Sequence, residues 1–144
     1  MINRHIKNEL LQQLREFPIV TVLGPRQAGK TTLVKAALPD FDYVSLEEPE
    51  QWAIANEDPK GFLASHSGNV IFDEIQRAPQ LLSYLQGIVY RDNRVGRFVL
   101  TGSHQLALRE AVSQSLAGRT GLLNLLPLSI AELAAAGISF EHFS

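Results

Sequence analysis

Residues 19–32 read IVTVLGPRQAGKTT, and this stretch decides the fold. Ile19 to Leu23 form a short, β-branched run bounded by Pro18 and Gly24, the pattern of a strand buried on both faces. Gly24 to Thr32 then satisfy G-x-x-x-x-G-K-[ST] through Gly24, Gly29, Lys30 and Thr31. At ordinary residue frequencies a chance match somewhere in a chain of 144 residues has odds below about one percent. The glycines let the loop wrap so that successive backbone N–H groups of Gly24, Pro25, Arg26, Gln27, Ala28 and Gly29, proline excepted, converge on one point. A helix opening near Gly29 adds its positive end to the same point, so the loop is an anion cradle. Lys30 supplies a mobile charge for the outer phosphates of a nucleotide, and the Thr31 hydroxyl can coordinate a Mg²⁺ bridging them. Thr32 is left to support the helix. The plain alternative is a glycine-rich strand-to-helix turn that happens to contain Lys-Thr.

Outward from the loop, strands and helices alternate. Upstream, Ile2, Ile6, Leu10, Leu14 and Phe17 recur at helical spacing and Pro18 stops the pattern, which predicts an N-terminal amphipathic helix over 1–18. Downstream the expected order is a helix from about Gly29 to Leu38, a strand over Tyr43 to Leu46 and short helices between Pro49 and His66. A strand over Val70 to Phe72, a helix over Leu81 to Arg91 and a strand over Arg97 to Leu100 follow. Leu106 to Leu116 reads as a helix and Gly121 to Leu126 as the last strand, before a short AELAAAG helix. This alternation predicts one α/β domain over 19–136, a parallel sheet of about five strands with helices on both faces, and a tail over 137–144. Ligands of such sheets bind at the carboxyl ends of the strands.

Two of those ends carry polar residues. In VIFDEIQ, 70–76, an apolar strand runs into Asp73 and Glu74. Asp73 can hold a magnesium water facing the phosphate loop, and Glu74, turned differently, can polarise an attacking water as a general base. By itself an Asp-Glu pair also ends many strands without chemistry. In RFVLTGSHQ, 97–105, the strand ends in Thr101, Gly102 and Ser103, and Thr101 or Ser103 could bond that water or sense the γ-phosphate. His104 reads as a loop or surface histidine, because nothing nearby orients it.

Composition excludes several other classes. The chain is 45% hydrophobic and 19% charged, with no cysteine and four scattered histidines, so thiolate metal sites, disulfides and a cysteine nucleophile are out. No apolar run reaches the ~18 residues that a membrane span needs, and the N-terminus has no signal-peptide core, so a cytoplasmic protein is expected. Thirteen basic against fifteen acidic residues give a net charge of −2, which leaves nucleic acid as a partner without support from charge.

GPRQAGKTTL, VIFDEIQRAP, RFVLTGS, SLAGR and LLPLSIAEL, in this order, resemble a family of prokaryotic AAA+-like P-loop ATPases. The resemblance implies a three-layer αβα P-loop NTPase of the additional-strand, catalytic-glutamate type with strand order 5-1-4-3-2, ATP and Mg²⁺ as ligands and ATP hydrolysis as activity. It implies a Walker A loop at Gly24 to Thr32, a Walker B strand at Val70 to Glu74 and a sensor at Thr101 to Ser103. Arg119, in SLAGR, stands where such relatives carry an arginine that acts in trans, which would make a homo-oligomer the partner. Arg26, Gln27, Gln76 and Arg77 match the pattern without an assigned role. Proteins of this kind usually continue into a helical region and a C-terminal domain, whereas this sequence ends at Ser144. A nucleotide-binding switch with negligible hydrolysis is therefore the competing reading, and a small-molecule kinase, disfavoured by the Asp-Glu pair, is a third.

Overall fold

The computed structural model describes residues 4–25, 29–92 and 94–125. Its elements are α1 (Arg4–Leu14), β1 (Ile19–Leu23), α2 (Lys30–Ala37), β2 (Asp42–Ser45), α3 (Pro49–Glu57), α4 (Pro59–Ala64) and β3 (Val70–Asp73). A short 3-10 turn (Ile75–Arg77), α5 (Leu81–Arg91), β4 (Phe98–Gly102), α6 (Leu106–Leu116) and β5 (Thr120–Asn124) complete them. The five strands pair in parallel in the order β2-β3-β4-β1-β5, which is 5-1-4-3-2 from the other edge.

Every residue of β1, β3 and β4 is buried, whereas β2 and β5 keep exposed positions. That difference follows from place: central strands are covered by helices on both faces and read as continuous apolar runs, while edge strands are covered less. Alternation along each strand then sorts side chains between two layers. Ile19, Leu23, Val70, Phe72, Phe98 and Leu100 pack with α4, α5 and α6. Val20, Val22, Ile71, Val99 and Leu123 pack with α1 and α2. At roughly 1.5–3 kcal/mol for each large apolar side chain removed from water, these two cores drive the three-layer assembly.

The boundaries shift where pairing or proline intervenes. β4 runs on to Thr101 and Gly102, because these residues stay in register with Val22 and Leu23 of β1. α1 ends at Leu14, and a turn through Arg15 and Glu16 leads to Phe17, whose backbone is kept out of the helix by Pro18. β2 starts one residue earlier than its apolar pattern, with Asp42 paired to Val70. The ladder continues one bond past β5, where Leu125 N–H donates to Leu23 O at 2.8 Å. The AELAAAG helix and the 137–144 tail lie outside the described residues. Among the described residues no helix is long and apolar enough to cross a membrane.

Candidate functional site

The same alternation that builds the cores aims the polar strand ends. Asp73 lies two residues after Ile71, and Thr101 two after Val99, so both side chains emerge on the α1/α2 face, toward the first turn of α2. There Thr31 Oγ1 donates to Asp73 Oδ2 at 3.0 Å. Asp73, only 4% exposed, also accepts from the Thr101 hydroxyl on Oδ1 and from the Tyr43 phenol on Oδ2. Three hydroxyls thus surround one carboxylate at the carboxyl ends of the strands.

The phosphate loop leaves β1 at Gly24, whose N–H donates to Gly102 O at 3.2 Å and anchors the loop to β4. Gly29 caps α2 with φ +78, a left-handed backbone that glycine adopts freely, and no side chain caps the helix. The first N–H groups of α2 therefore remain available to an anion. Lys30 is 3% exposed and folds back over the loop, where Nζ donates to Gly24 O at 2.9 Å and Pro25 O at 3.3 Å. Both acceptors are neutral carbonyls, and an ammonium has a third proton for a phosphate oxygen. Thr32 is exposed on the first turn of α2. Arg26, Gln27 and Ala28 lie outside the described residues.

Glu74 departs from the strand with φ 64 and ψ 56, a left-handed conformation unusual for a side chain with a Cβ. Its N–H donates to Thr101 Oγ1 at 2.9 Å, and its Oε1 accepts from Gln76 Nε2 at 2.7 Å. The turn sends Glu74 away from Asp73, so two adjacent carboxylates take different directions. Thr101 is fully buried, and its hydroxyl is committed to Asp73 as donor and to Glu74 N–H as acceptor. It holds the two acids, where the sequence suggested contact with water. Ser103 sits beside them; its N–H donates to Gln76 Oε1 at 3.2 Å, while its Oγ is buried with no partner among the described atoms.

Other residues singled out by the sequence lie elsewhere. His104 is exposed. Arg77 is exposed, and its carbonyl accepts from the Trp52 indole at 2.9 Å. Arg119 precedes β5, at the amino ends of the strands, where its carbonyl accepts from Ile19 N–H at 3.3 Å. A strand of five residues, roughly 16 Å at ~3.3 Å per residue, separates that level from the phosphate loop. The Arg119 guanidinium lies 5.8 Å from the Tyr90 ring centroid, in an open groove that Glu16, Pro18 and Val95 also line.

Tyr43 is the functional neighbour that sequence reasoning missed. Burial, then the hydrogen bond and negative charge of Asp73, push its phenol well above the usual tyrosine range, so it remains a donor. Lys35 lies 4.4 Å from its ring centroid. Its position on a strand next to VIFD is the only hint the sequence carries, and that adjacency is a property of the sheet order.

Among the described residues no three His, Cys, Asp or Glu cluster as a metal cage. Thr31 and Asp73 nonetheless fit magnesium, because that ion takes hard oxygen donors, needs one or two from the protein, and keeps several waters.

The profile of a protein family described as an AAA domain matches residues 16–134. Uncharacterized proteins of Mycobacterium tuberculosis and Mycobacterium bovis are each 35% identical to this chain over 130 residues, 88% of its length and 29% of theirs. The chain therefore spans less than a third of these relatives. Among solved structures, a Walker-type ATPase of Pyrococcus abyssi is similar with a TM-score of 0.60 at 17% identity, over 88% of this chain and 54% of that one. RuvB of Thermotoga maritima is similar with a TM-score of 0.51 at 18% identity, over 86% and 44%. At such identities the likeness is one of fold, the three-layer P-loop NTPase.

Proposed function

This chain belongs to the AAA domain family, and from that membership and the site geometry we propose that it binds Mg-ATP and hydrolyses it to ADP and phosphate. Nucleotide binding is what the family and the P-loop fold support; hydrolysis and magnesium are the proposal. The observation that carries it is the meeting of Thr31 with Asp73 at 3.0 Å, beside Lys30 and Glu74. Thr31 and Lys30 come from α2, and Asp73 and Glu74 from the end of β3 and the turn after it, so two separate stretches of chain converge on the carboxyl ends of the strands.

In this reading the loop amides from Gly24 to Thr32 and the start of α2 hold the triphosphate, and Lys30 neutralises its outer oxygens. Magnesium, held by Thr31 and through water by Asp73, would supply charge neutralisation at the β- and γ-phosphates. Tyr43 and Thr101 orient Asp73 through its two oxygens. Glu74 takes a proton from the water as that water attacks the γ-phosphorus, and ADP leaves on the far side. Ser103 and the end of β4 lie next to Glu74, in position to contact the water. Arg119, remote from its own loop, serves a neighbouring copy, so the active form is a homo-oligomer. A domain that consumes ATP works where ATP is held, and the cytoplasm is the compartment we assign.

Calorimetry with Mg-ATP and a phosphate-release assay test the reading together. Lys30→Ala is expected to abolish binding. Glu74→Gln should bind ATP nearly as the parent does yet release phosphate at least ~100-fold more slowly, and Asp73→Asn should weaken the magnesium dependence. Equal affinity in Lys30→Ala and the parent would remove the phosphate loop from the mechanism. Intact binding with no phosphate release by the parent would leave a nucleotide-binding switch.

A further inference from the structure

Gln76 ties the candidate base to the end of β4. Its Nε2 donates to Glu74 Oε1 at 2.7 Å, and its Oε1 accepts from Ser103 N–H at 3.2 Å. The neighbouring residue is Gly102, where a Cβ would stand 3.1 Å from Gln76 Oε1 and 2.5 Å from the Leu108 side chain. The bare backbone there gives the amide room. The direction of the amide follows from its partners: Ser103 N–H can only donate, and a carboxylate offers acceptors, so the oxygen faces Ser103 and the nitrogen faces Glu74. Glutamine is the uncharged side chain of this length with one group of each kind. Glu74 needs such a partner, because its left-handed backbone takes it off the strand ladder that orients Asp73.

Resting on the assignment of Glu74 as the base, we propose that Gln76 is a positioning residue that fixes the Glu74 carboxylate and couples it to the Ser103 segment. Pinning Oε1 leaves the other oxygen to accept the proton of the attacking water. Because the same amide holds Ser103, any shift of the β4 end toward a bound phosphate is passed to Glu74 through two hydrogen bonds. A purely structural role, in which Gln76 only satisfies the Ser103 amide, is the alternative that a test must separate.

A double-mutant cycle separates them. Gln76→Met, similar in length and without either hydrogen bond, is expected to lower kcat about tenfold, with KM and Mg-ATP affinity within about twofold of the parent. In a Glu74→Gln background, followed by single turnover, the same substitution should cause no further loss, because its effect runs through Glu74. A full tenfold loss in that background, an unchanged kcat in the single variant, or a loss carried by KM would each overturn the proposal. If Gln76→Met does not fold, Gln76→Glu keeps the acceptor for Ser103 N–H, removes the donor to Glu74, and should show the same kcat loss. A second readout is independent of turnover. In ¹⁵N spectra Glu74→Ala should shift the Ser103 amide resonance when Gln76 is present and leave it in place when residue 76 is Met. No shift in the presence of Gln76 overturns the coupling. A parent protein that binds Mg-ATP but releases no phosphate would instead remove hydrolysis, while the spectra still decide whether Glu74 and Ser103 are linked.

Discussion

Glu74 has a left-handed backbone that costs a residue with a Cβ about 1–2 kcal/mol. Strain of this kind survives where the surroundings over-determine it, and here Thr101 holds the Glu74 N–H while Gln76 holds its carboxylate. Asparagine tolerates the left-handed region better than glutamate. Glu74→Asn and Glu74→Ala both lose the bond to Gln76, so Glu74→Asn is expected to be the more stable of the two by about 1 kcal/mol, a few degrees in Tm for a domain of this size, with phosphate release lost in both. Calorimetric melting checks it, and a Tm for Glu74→Asn no higher than that of Glu74→Ala would show that no strain is stored at this position. Tyr43 yields a pH effect with a definite sign. Its phenol is raised in the folded chain from an ordinary value of 10.0. The folded state thus holds the proton more tightly than the unfolded state. That contribution is complete below about pH 10 and is lost as pH climbs through the folded value. Urea midpoints should fall above pH 10 in the parent and fall less steeply in Tyr43→Phe; parallel curves would exclude the phenol as the source.

At the scale of elements, the informative helix is α1. Its Leu10 is fully buried and Leu14 nearly so, in the layer that also holds Val20, Val22 and Leu123. Gln13 Nε2 donates to Leu122 O at 3.0 Å, so the helix is fastened to the edge strand as well as packed on it. The helical spacing of Leu10 and Leu14 already pointed to an inward face; which strands lie beneath was not in the spacing. Because the cavity left by a truncated leucine closes only in part, Leu10→Ala should destabilise the domain by about 3 kcal/mol. Chemical denaturation measures it, and a loss under about 1 kcal/mol would make α1 an appendage whose removal the sheet tolerates. The strands were legible for the complementary reason. IVTVL and VIF are almost continuous apolar runs because both faces are covered, and VIF gives way to Asp73 and Glu74 where the sheet stops.

For the whole molecule, the position of Arg119 sets the expectation. It lies at the amino ends of the strands, beside the exposed ring of Tyr90, while the phosphate loop lies at the carboxyl ends. No side-chain rotation closes a gap of roughly 16 Å along a five-residue strand. If Arg119 acts on a γ-phosphate, that phosphate belongs to another copy. An arginine supplied in trans is worth ~10³–10⁵ in rate, so specific activity should rise with protein concentration. Mixing Glu74→Gln protein, which keeps Arg119, with Arg119→Ala protein, which keeps Glu74, should restore phosphate release that neither has alone. Activity that is flat on dilution, with no recovery on mixing, would leave Arg119 as a cation at the end of α6, stacked on Tyr90.

Local pattern was enough to determine the alternating elements and to single out the phosphate-loop motif at Gly24 to Thr32 and the acids Asp73 and Glu74 as candidates. Each is written in fewer than a dozen consecutive residues, and period-two alternation states which face a strand residue takes. Alternation does not state which strand lies alongside. The contact of Tyr43 with Asp73 needs β2 next to β3, the commitment of Thr101 to both acids needs β4 next to β3, and the bridge from Glu74 through Gln76 to Ser103 needs the end of β4 beside the turn after β3. These partners are far apart in the chain, and only the order and register of a closed-packed parallel sheet bring them within hydrogen-bond reach. The remoteness of Arg119 has the same origin, since parallel strands put every strand's start at one end of the sheet and every carboxyl end, with the loop after β1, at the other.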